Sequence, residues 1–304
     1  MNKAAFNLLS KLASNNFRAL ARAISIVENE ASGYQEILTS LRLNKQVPVV
    51  GITGPPGAGK STLVNALINH YLQNNNKIAI IAVDPTSPFN YGALLGDRIR
   101  LNAHYNNPNV YIRSLASRGS LGGLSQKIME VVDVVKAANF DIVFVETVGV
   151  GQSEVEIAGL ADTTVVTLVP EAGDEIQTMK AGLMEIADIF IVNKSDRPEA
   201  SHFSTNLQKL VHNKPQSDWQ TPVIKTVATK EEGIAELAKQ INAHHQINHS
   251  TTKKSYLFTR KALQIIQQKR MKDIDHRMLQ KQIEAEIADN SSFNLYAFLD
   301  VLGY

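Results

Sequence analysis

The sequence predicts an α/β fold: a doubly wound, mainly parallel sheet around a phosphate-binding loop, with helical extensions at the N- and C-terminal ends. Three observations point there. Between residues 47 and about 240, short apolar runs alternate with segments of helical periodicity. The runs are near-continuously apolar rather than alternating, as for strands buried on both faces. The first run leads into Gly54-Pro55-Pro56-Gly57-Ala58-Gly59-Lys60-Ser61, which fits G-x-x-x-x-G-K-[ST], the Walker A loop. Helices between buried strands imply right-handed parallel crossovers. Such sheets bind ligands beyond the carboxyl ends of their strands.

Residues 1–45 read as a helical arm. Phe6, Leu9 and Leu12, then Phe17, Leu20, Ile24 and Val27, recur at spacings of three and four. Gly33 breaks the pattern, and a shorter helix follows through Ile37 and Leu41. The arm carries no evident chemistry and reads as a packing element for the main domain or a partner. Residues 46–242 form the phosphate-loop domain, with strand runs at 47–52, 78–83, 109–112, 141–145, 164–169, 189–192 and 222–226. Residues 243–254, polar and without periodicity, read as a linker. Residues 255–304 read as a helical extension. Met271, Ile274 and Met278, then Leu279, Ile283 and Ile287, make an apolar stripe; Asn290-Ser291-Ser292 ends it, and a last short helix runs through Leu295 and Leu299. So much apolar surface on one helix pair must lie on the main domain or on a second copy.

The 304-residue chain is 44% hydrophobic, enough for one large domain with appendages. Lys+Arg total 31 against 29 for Asp+Glu, a net charge of +2 that makes no overall case for nucleic acid. The absence of cysteine excludes disulfides, thiolate zinc sites and a cysteine nucleophile, and suits the cytoplasm. No segment reaches 18 uninterrupted apolar residues, so no membrane span is expected. The basic, acid-poor N-terminus has the composition of a transit peptide, but its apolar spacing reads as a packed helix.

Glycines let the Walker A backbone of residues 54–62 turn its N–H groups, which Pro55 and Pro56 lack, toward phosphate, at the N-terminus of the helix in which Leu63/Leu67 and Val64/Ile68 repeat. Lys60 would reach the β- and γ-phosphates, and the Ser61 hydroxyl would ligate Mg²⁺. Asp84 ends the second strand, and Asp97 follows in Gly-Asp-Arg-Ile-Arg. Either carboxylate suits the metal side, since Mg²⁺ takes few protein ligands; Asp97 can instead cap a helix starting near Arg98. Glu146-Thr147-Val148-Gly149-Val150-Gly151-Gln152 joins an acidic strand end to a flexible glycine. Glu146 would hold Mg²⁺ directly or through water, and the Gly149 N–H would sense the γ-phosphate. Val150 stands where many GTPases place a water-orienting glutamine, so intrinsic hydrolysis is expected to be slow; Gln152 lies two residues on.

Asn193-Lys194-Ser195-Asp196 fits N-K-x-D. Asp196 can accept hydrogen bonds from guanine N1–H and its 2-amino group, donors that adenine lacks at those positions. Asn193 would brace the loop, the Lys194 stem would lie on the base, and Thr226-Val227-Ala228 would add a backbone N–H toward guanine O6.

GPPGAGKSTL, VDPTSPFNYGALLGDRIRL, RGSLGGLS, FVETVGVGQSEVEIAGLAD and EAGDEIQTMKAGLMEIADIFIVNKSD, with the helical ends, resemble the ArgK/MeaB family over nearly the whole chain. These are GTPases associated with methylmalonyl-CoA mutase, relatives of the nickel-inserting GTPases. The resemblance implies a homodimeric, cytoplasmic, Mg²⁺-dependent hydrolase of GTP to GDP, dimerising through 255–304. It implies a G-protein chaperone of an adenosylcobalamin-dependent acyl-CoA mutase, gating cofactor loading and protecting or reactivating the mutase. It assigns Asp84, Asp97 and Glu146 to the metal side, and matches Glu171 to Lys180 with the family's extra mobile switch, from which Lys180 can reach nucleotide. Glu171 and Ser195 stand where a small residue and alanine are common in the family. An older reading of the same family, as an ATPase or kinase for lysine/arginine/ornithine transport, is the alternative; a GTP-dependent metallochaperone is another. For the latter, His244, His245 and His249 have ligand-like spacing. The basic stretch from Lys253 to Arg277 reads as a solvated helix face. Arg113 and Arg118 suit phosphate, a partner or plain surface roles equally.

Overall fold

The computed structural model describes residues 3–12, 14, 16–43, 47–84, 101–116, 127–147, 153–172, 182–212, 219–247, 251–271, 274–289 and 293–303. Its centre is a parallel sheet of β1 (Val49–Thr53), β2 (Ile78–Asp84), β3 (Val110–Ala116), β4 (Ile142–Glu146), β5 (Thr163–Leu168), β6 (Ile189–Val192) and β7 (Val223–Lys225). The spatial order is β3-β2-β4-β1-β5-β6-β7. Every paired strand runs parallel to its neighbours. The strands fall where the apolar runs predict, within a few residues at the ends.

Side-chain alternation feeds two core layers. Val50, Ile52, Ile80, Phe144 and Val165 pack against α4 (Lys60–Gln73) and α9 (Ile234–Gln246). On the opposite face, Val49, Ile81, Val143 and Val145 meet α1 (Lys3–Leu12), α2 (Phe17–Glu28), α3 (Tyr34–Ser40), α5 (Ile128–Lys136) and α6 (Ser153–Leu160). Farther along that face, Val166, Phe190 and Val192 pack against α7 (Gly182–Ile186) and α8 (Ala200–His212).

The N-terminal arm is a layer of the main core. Leu20, Ile24, Val27 and Ile37 are at most 1% exposed, and Phe17 stacks on Phe140 and packs its ring at a tilt against Tyr111. Asn16 starts α2 by accepting the Ala19 N–H at 2.9 Å, an N-cap. Arg113 on β3 donates to Glu28 at 2.6 Å. Arg113 thus ties the sheet to the arm, a role that none of its sequence readings included; Arg118 lies outside the described residues.

One compact unit spans Met1–Lys254 and a second Ser255–Tyr304. The stretch read as a linker is helical at both described ends: α9 continues to Gln246, and α10 (Thr251–Arg270) begins within it. Its polar composition hid the helix because α9 buries only one stripe, including Ile241 and His244. The apolar stripe read across Met271, Ile274 and Met278 spans a break, with α11 (His276–Asp289) starting after Asp275. The Asp275 carboxylate accepts the Arg277 and Met278 N–H groups at 2.8 and 3.1 Å and caps the new helix. A last helix, α12 (Leu295–Val301), is capped by Asn294.

Candidate nucleotide site

The site forms at the carboxyl ends of the central strands. Gly54 leaves β1 with φ +139°, where an added Cβ would lie 2.0 Å from the Thr167 carbonyl oxygen. Only glycine fits that crossing of β5. Gly59 precedes α4 at φ +86° and, having no side chain, leaves α4 without a side-chain cap at the helix end that favours an anion.

Lys60 is buried, and its Nζ donates to the Gly54 and Pro55 carbonyls of its own loop at 2.9 and 3.1 Å. Ser61 Oγ donates to Glu146 Oε1 at 2.6 Å. The register explains the meeting: Ile52 at the end of β1 lies opposite Glu146 at the end of β4. On the other side of β4, Ala82 lies opposite Glu146, and Asp84 ends β2 two residues later. Ser61, Asp84 and Glu146 are each at most 3% exposed. Thr147 Oγ1 and Thr53 Oγ1 are 2.9 Å apart, tying the residue after β4 to the end of β1, just before the phosphate loop.

The N-K-x-D loop leaves β6 beside it. Asn193 Nδ2 donates to the Ala58 carbonyl at 2.9 Å. Its Oδ1 accepts Thr226 Oγ1 at 3.1 Å and the Ala228 N–H at 3.2 Å. One buried amide therefore joins the phosphate loop, N-K-x-D and the residues after β7. Lys194, at φ +55°, donates from Nζ to the Gly57 carbonyl at 2.8 Å, laying its stem across the gap between the loops. Ser195 Oγ donates to the Thr226 carbonyl at 3.0 Å. A cavity of about 260 Å³ opens between them, lined by Gly59, Thr62, Asn193, Lys194, Asp196, Arg197, Val227, Ala228 and Thr229. The sequence reading missed Arg197 and Thr229; each directly follows a residue it had selected.

Thus Lys60, Ser61, Asp84 and Glu146 stand at the phosphate end, and Asn193, Lys194, Asp196, Val227 and Ala228 line the cavity, while Thr226 is fully buried and bonds Asn193 without lining it. Asp97, Gly149, Val150, Gln152 and Lys180 lie outside the described residues. So does His249. His244 is packed rather than presented to solvent, with Nδ1 2.8 Å from Thr163 Oγ1 and its ring 4.8 Å from that of Trp219. His104 Nε2 sits 2.9 Å from Asn65 Oδ1 of α4, and burial lowers its pKa.

A parallel sheet with a phosphate loop after β1 and N-K-x-D after β6 defines the class: a P-loop GTPase, which binds GTP and hydrolyses it to GDP and phosphate. The profile of the family described as "Methylmalonyl Co-A mutase-associated GTPase MeaB" matches residues 20–286, and the chain belongs to that family. A protein of Pyrococcus abyssi named as a GTPase is 47% identical over 244 residues, covering 79% of this chain and 75% of that one. A Geobacillus kaustophilus protein named fused isobutyryl-CoA mutase is 40% identical over 212 residues, 66% of this chain and 19% of that one. A crystal structure titled LAO/AO transport system kinase superposes with a TM-score of 0.70 at 24% identity, covering 100% of this chain and 98% of that one. That likeness concerns the fold.

Proposed function

We propose that this GTPase is a Mg²⁺-dependent G-protein chaperone of an adenosylcobalamin-dependent acyl-CoA mutase, working in the cytoplasm as a homodimer. It would gate cofactor loading and protect or reactivate the mutase. The observation that carries the partner is the fused relative, in which a region like this chain shares one polypeptide with an isobutyryl-CoA mutase. The domain scheme that fits is an arm over 1–45, the GTPase domain over 46–242, a connection over 243–254 and a dimerisation extension over 255–304. Exposed Tyr256, Phe258, Leu263, Met278, Tyr296 and Val301 in the C-terminal unit support the last assignment.

In this reading Lys60 and the residue 54–62 backbone hold the phosphates, and Asp196 reads the guanine edge. The backbone donor expected for O6 is already engaged: Ala228 N–H donates to Asn193 Oδ1, Thr226 N–H to the Val192 carbonyl and Val227 N–H to the Glu232 carbonyl, so a bond to O6 would have to share one of them. The donor set fits Mg²⁺: a serine hydroxyl and two buried carboxylates, all hard oxygens, with Ser61 and Glu146 already in contact. Ser61, Asp84 and Glu146 would hold the ion, with Asp97 joining them from its own segment; bound there, it would neutralise charge developing on the phosphates. Water attacks in line, and catalysis is mainly positioning and electrostatics. The Gly149 N–H would face the γ-phosphate, and Lys180 would supply charge when the mutase engages. With Val150 unable to orient water, unassisted turnover is slow.

A transport ATPase is disfavoured by Asp196, which adenine would leave unpaired. A metallochaperone built on His244 is disfavoured by that residue's packing against Thr163. The test is co-purification of the chain with an adenosylcobalamin-dependent acyl-CoA mutase in GTP, GDP or no nucleotide. Nucleotide-dependent complex formation supports the reading, and no complex in any state overturns the partner.

A further inference from the structure

Arg197 directly follows the N-K-x-D loop and lines the base cavity, yet its guanidinium charge points elsewhere. Its Nη1 forms an ion pair with Glu171, on the short 3₁₀ turn Pro170–Ala172 that follows β5. Glu171 is not part of the cavity wall. Arg197 itself is fixed by a turn, its N–H donating to the Lys194 carbonyl at 3.1 Å and its carbonyl accepting the Ala200 N–H at 3.1 Å. An arginine held by its head group presents its aliphatic stem as a surface. A planar base needs such a surface at the cavity rim, where Asp196 is exposed and Lys194 covers one side.

We propose that Arg197 is a nucleotide-retaining residue whose stem walls the base cavity, and that Glu171 is the positioning residue that keeps it there. The pairing also links the segments that follow β5 and β6. The inference rests on reading Asp196 as the guanine-binding carboxylate.

Both partners are near half exposed, at 45% and 49%, so the coupling is that of a surface ion pair. The expected effect is accordingly modest, about two- to five-fold in dissociation rate. The experiment is stopped-flow release of N-methylanthraniloyl-GDP from the full chain. Glu171→Ala and Arg197→Ala should each speed release by that factor. The double substitution should be no faster than Arg197→Ala alone, because Glu171 acts only through Arg197. The exchange Glu171→Arg with Arg197→Glu should recover part of the loss. Inhibition by pyrophosphate, which carries no base, should be the same in every variant, a result that general loosening of the fold would not give. Release unchanged in Glu171→Ala overturns the inference, as does a parallel loss of pyrophosphate binding. Asp196→Asn tests the underlying reading separately: it should abolish tight GDP binding and favour xanthosine diphosphate. Retained GDP binding there overturns the base-loop assignment itself, whatever Glu171 does.

Discussion

Ser61 and Glu146 show how little is needed once strand register has done its part. They are far apart in sequence, and their 2.6 Å contact follows from β1 and β4 being neighbours in the sheet. Ser61→Ala is expected to lower GTP turnover on the order of 10²-fold while leaving the melting temperature within a few degrees of wild type; a steady-state phosphate-release assay checks it. Asp133 on α5 shows the opposite case, a charge without a functional task in this account. Burial pushes its carboxyl up to about 6, Lys136 opposes that shift and Glu130 adds to it. A folded pKa above the unfolded value means the fold binds this proton more tightly. Its contribution is therefore full below about pH 4 and lost as pH rises through about 6. Asp133→Asn should be more stable than wild type at pH 7.5 by up to about 2 kcal/mol, with the advantage fading toward pH 4. Thermal melts at the two pH values measure it; an advantage independent of pH would contradict the assignment. The residues legible in the sequence were those in contiguous motifs. Arg197 and its ion pair with Glu171 were not, because that contact joins two loops that only the sheet brings together.

The strands were legible because double burial makes their apolar runs continuous. The arm was legible because Leu20, Ile24 and Val27 keep a helical spacing. What spacing did not show was where the arm packs, and the core answers that: Ile24 is fully buried among residues of α5 and the sheet. Ile24→Ala should cost about 2–5 kcal/mol in chemical denaturation, the cost of a core cavity. A loss below about 1 kcal/mol would mean the arm is a loose appendage. Two boundaries misled the sequence reading. The break before α11 is set by the Asp275 cap, which a stripe of apolar residues does not reveal. The extension of α9 through His244 depends on a histidine buried against Thr163, and composition alone marks such a residue as polar.

At the scale of the molecule, the chain divides at Lys254/Ser255, and the C-terminal unit carries large apolar side chains in the open: Tyr296 is 81% exposed and Val301 86%. Surface of that kind on helices predicts self-association. Light scattering should give a dimer for the full chain, and Phe258→Glu combined with Tyr296→Glu should shift it to monomer without abolishing GTP binding. A monomeric full chain would remove the dimerisation role of residues 255–304. No helix among the described residues is long and apolar enough to cross a membrane.

The central claim, a guanine-specific hydrolase that serves a mutase, is tested most directly by one assay. GTP hydrolysis by the purified chain is measured alone and with an adenosylcobalamin-dependent acyl-CoA mutase, with ATP in parallel. The account predicts slow GTP turnover that the mutase accelerates, and no turnover of ATP. ATP hydrolysed as well as GTP would contradict the role given to Asp196, and GTP turnover indifferent to the mutase would contradict the partner.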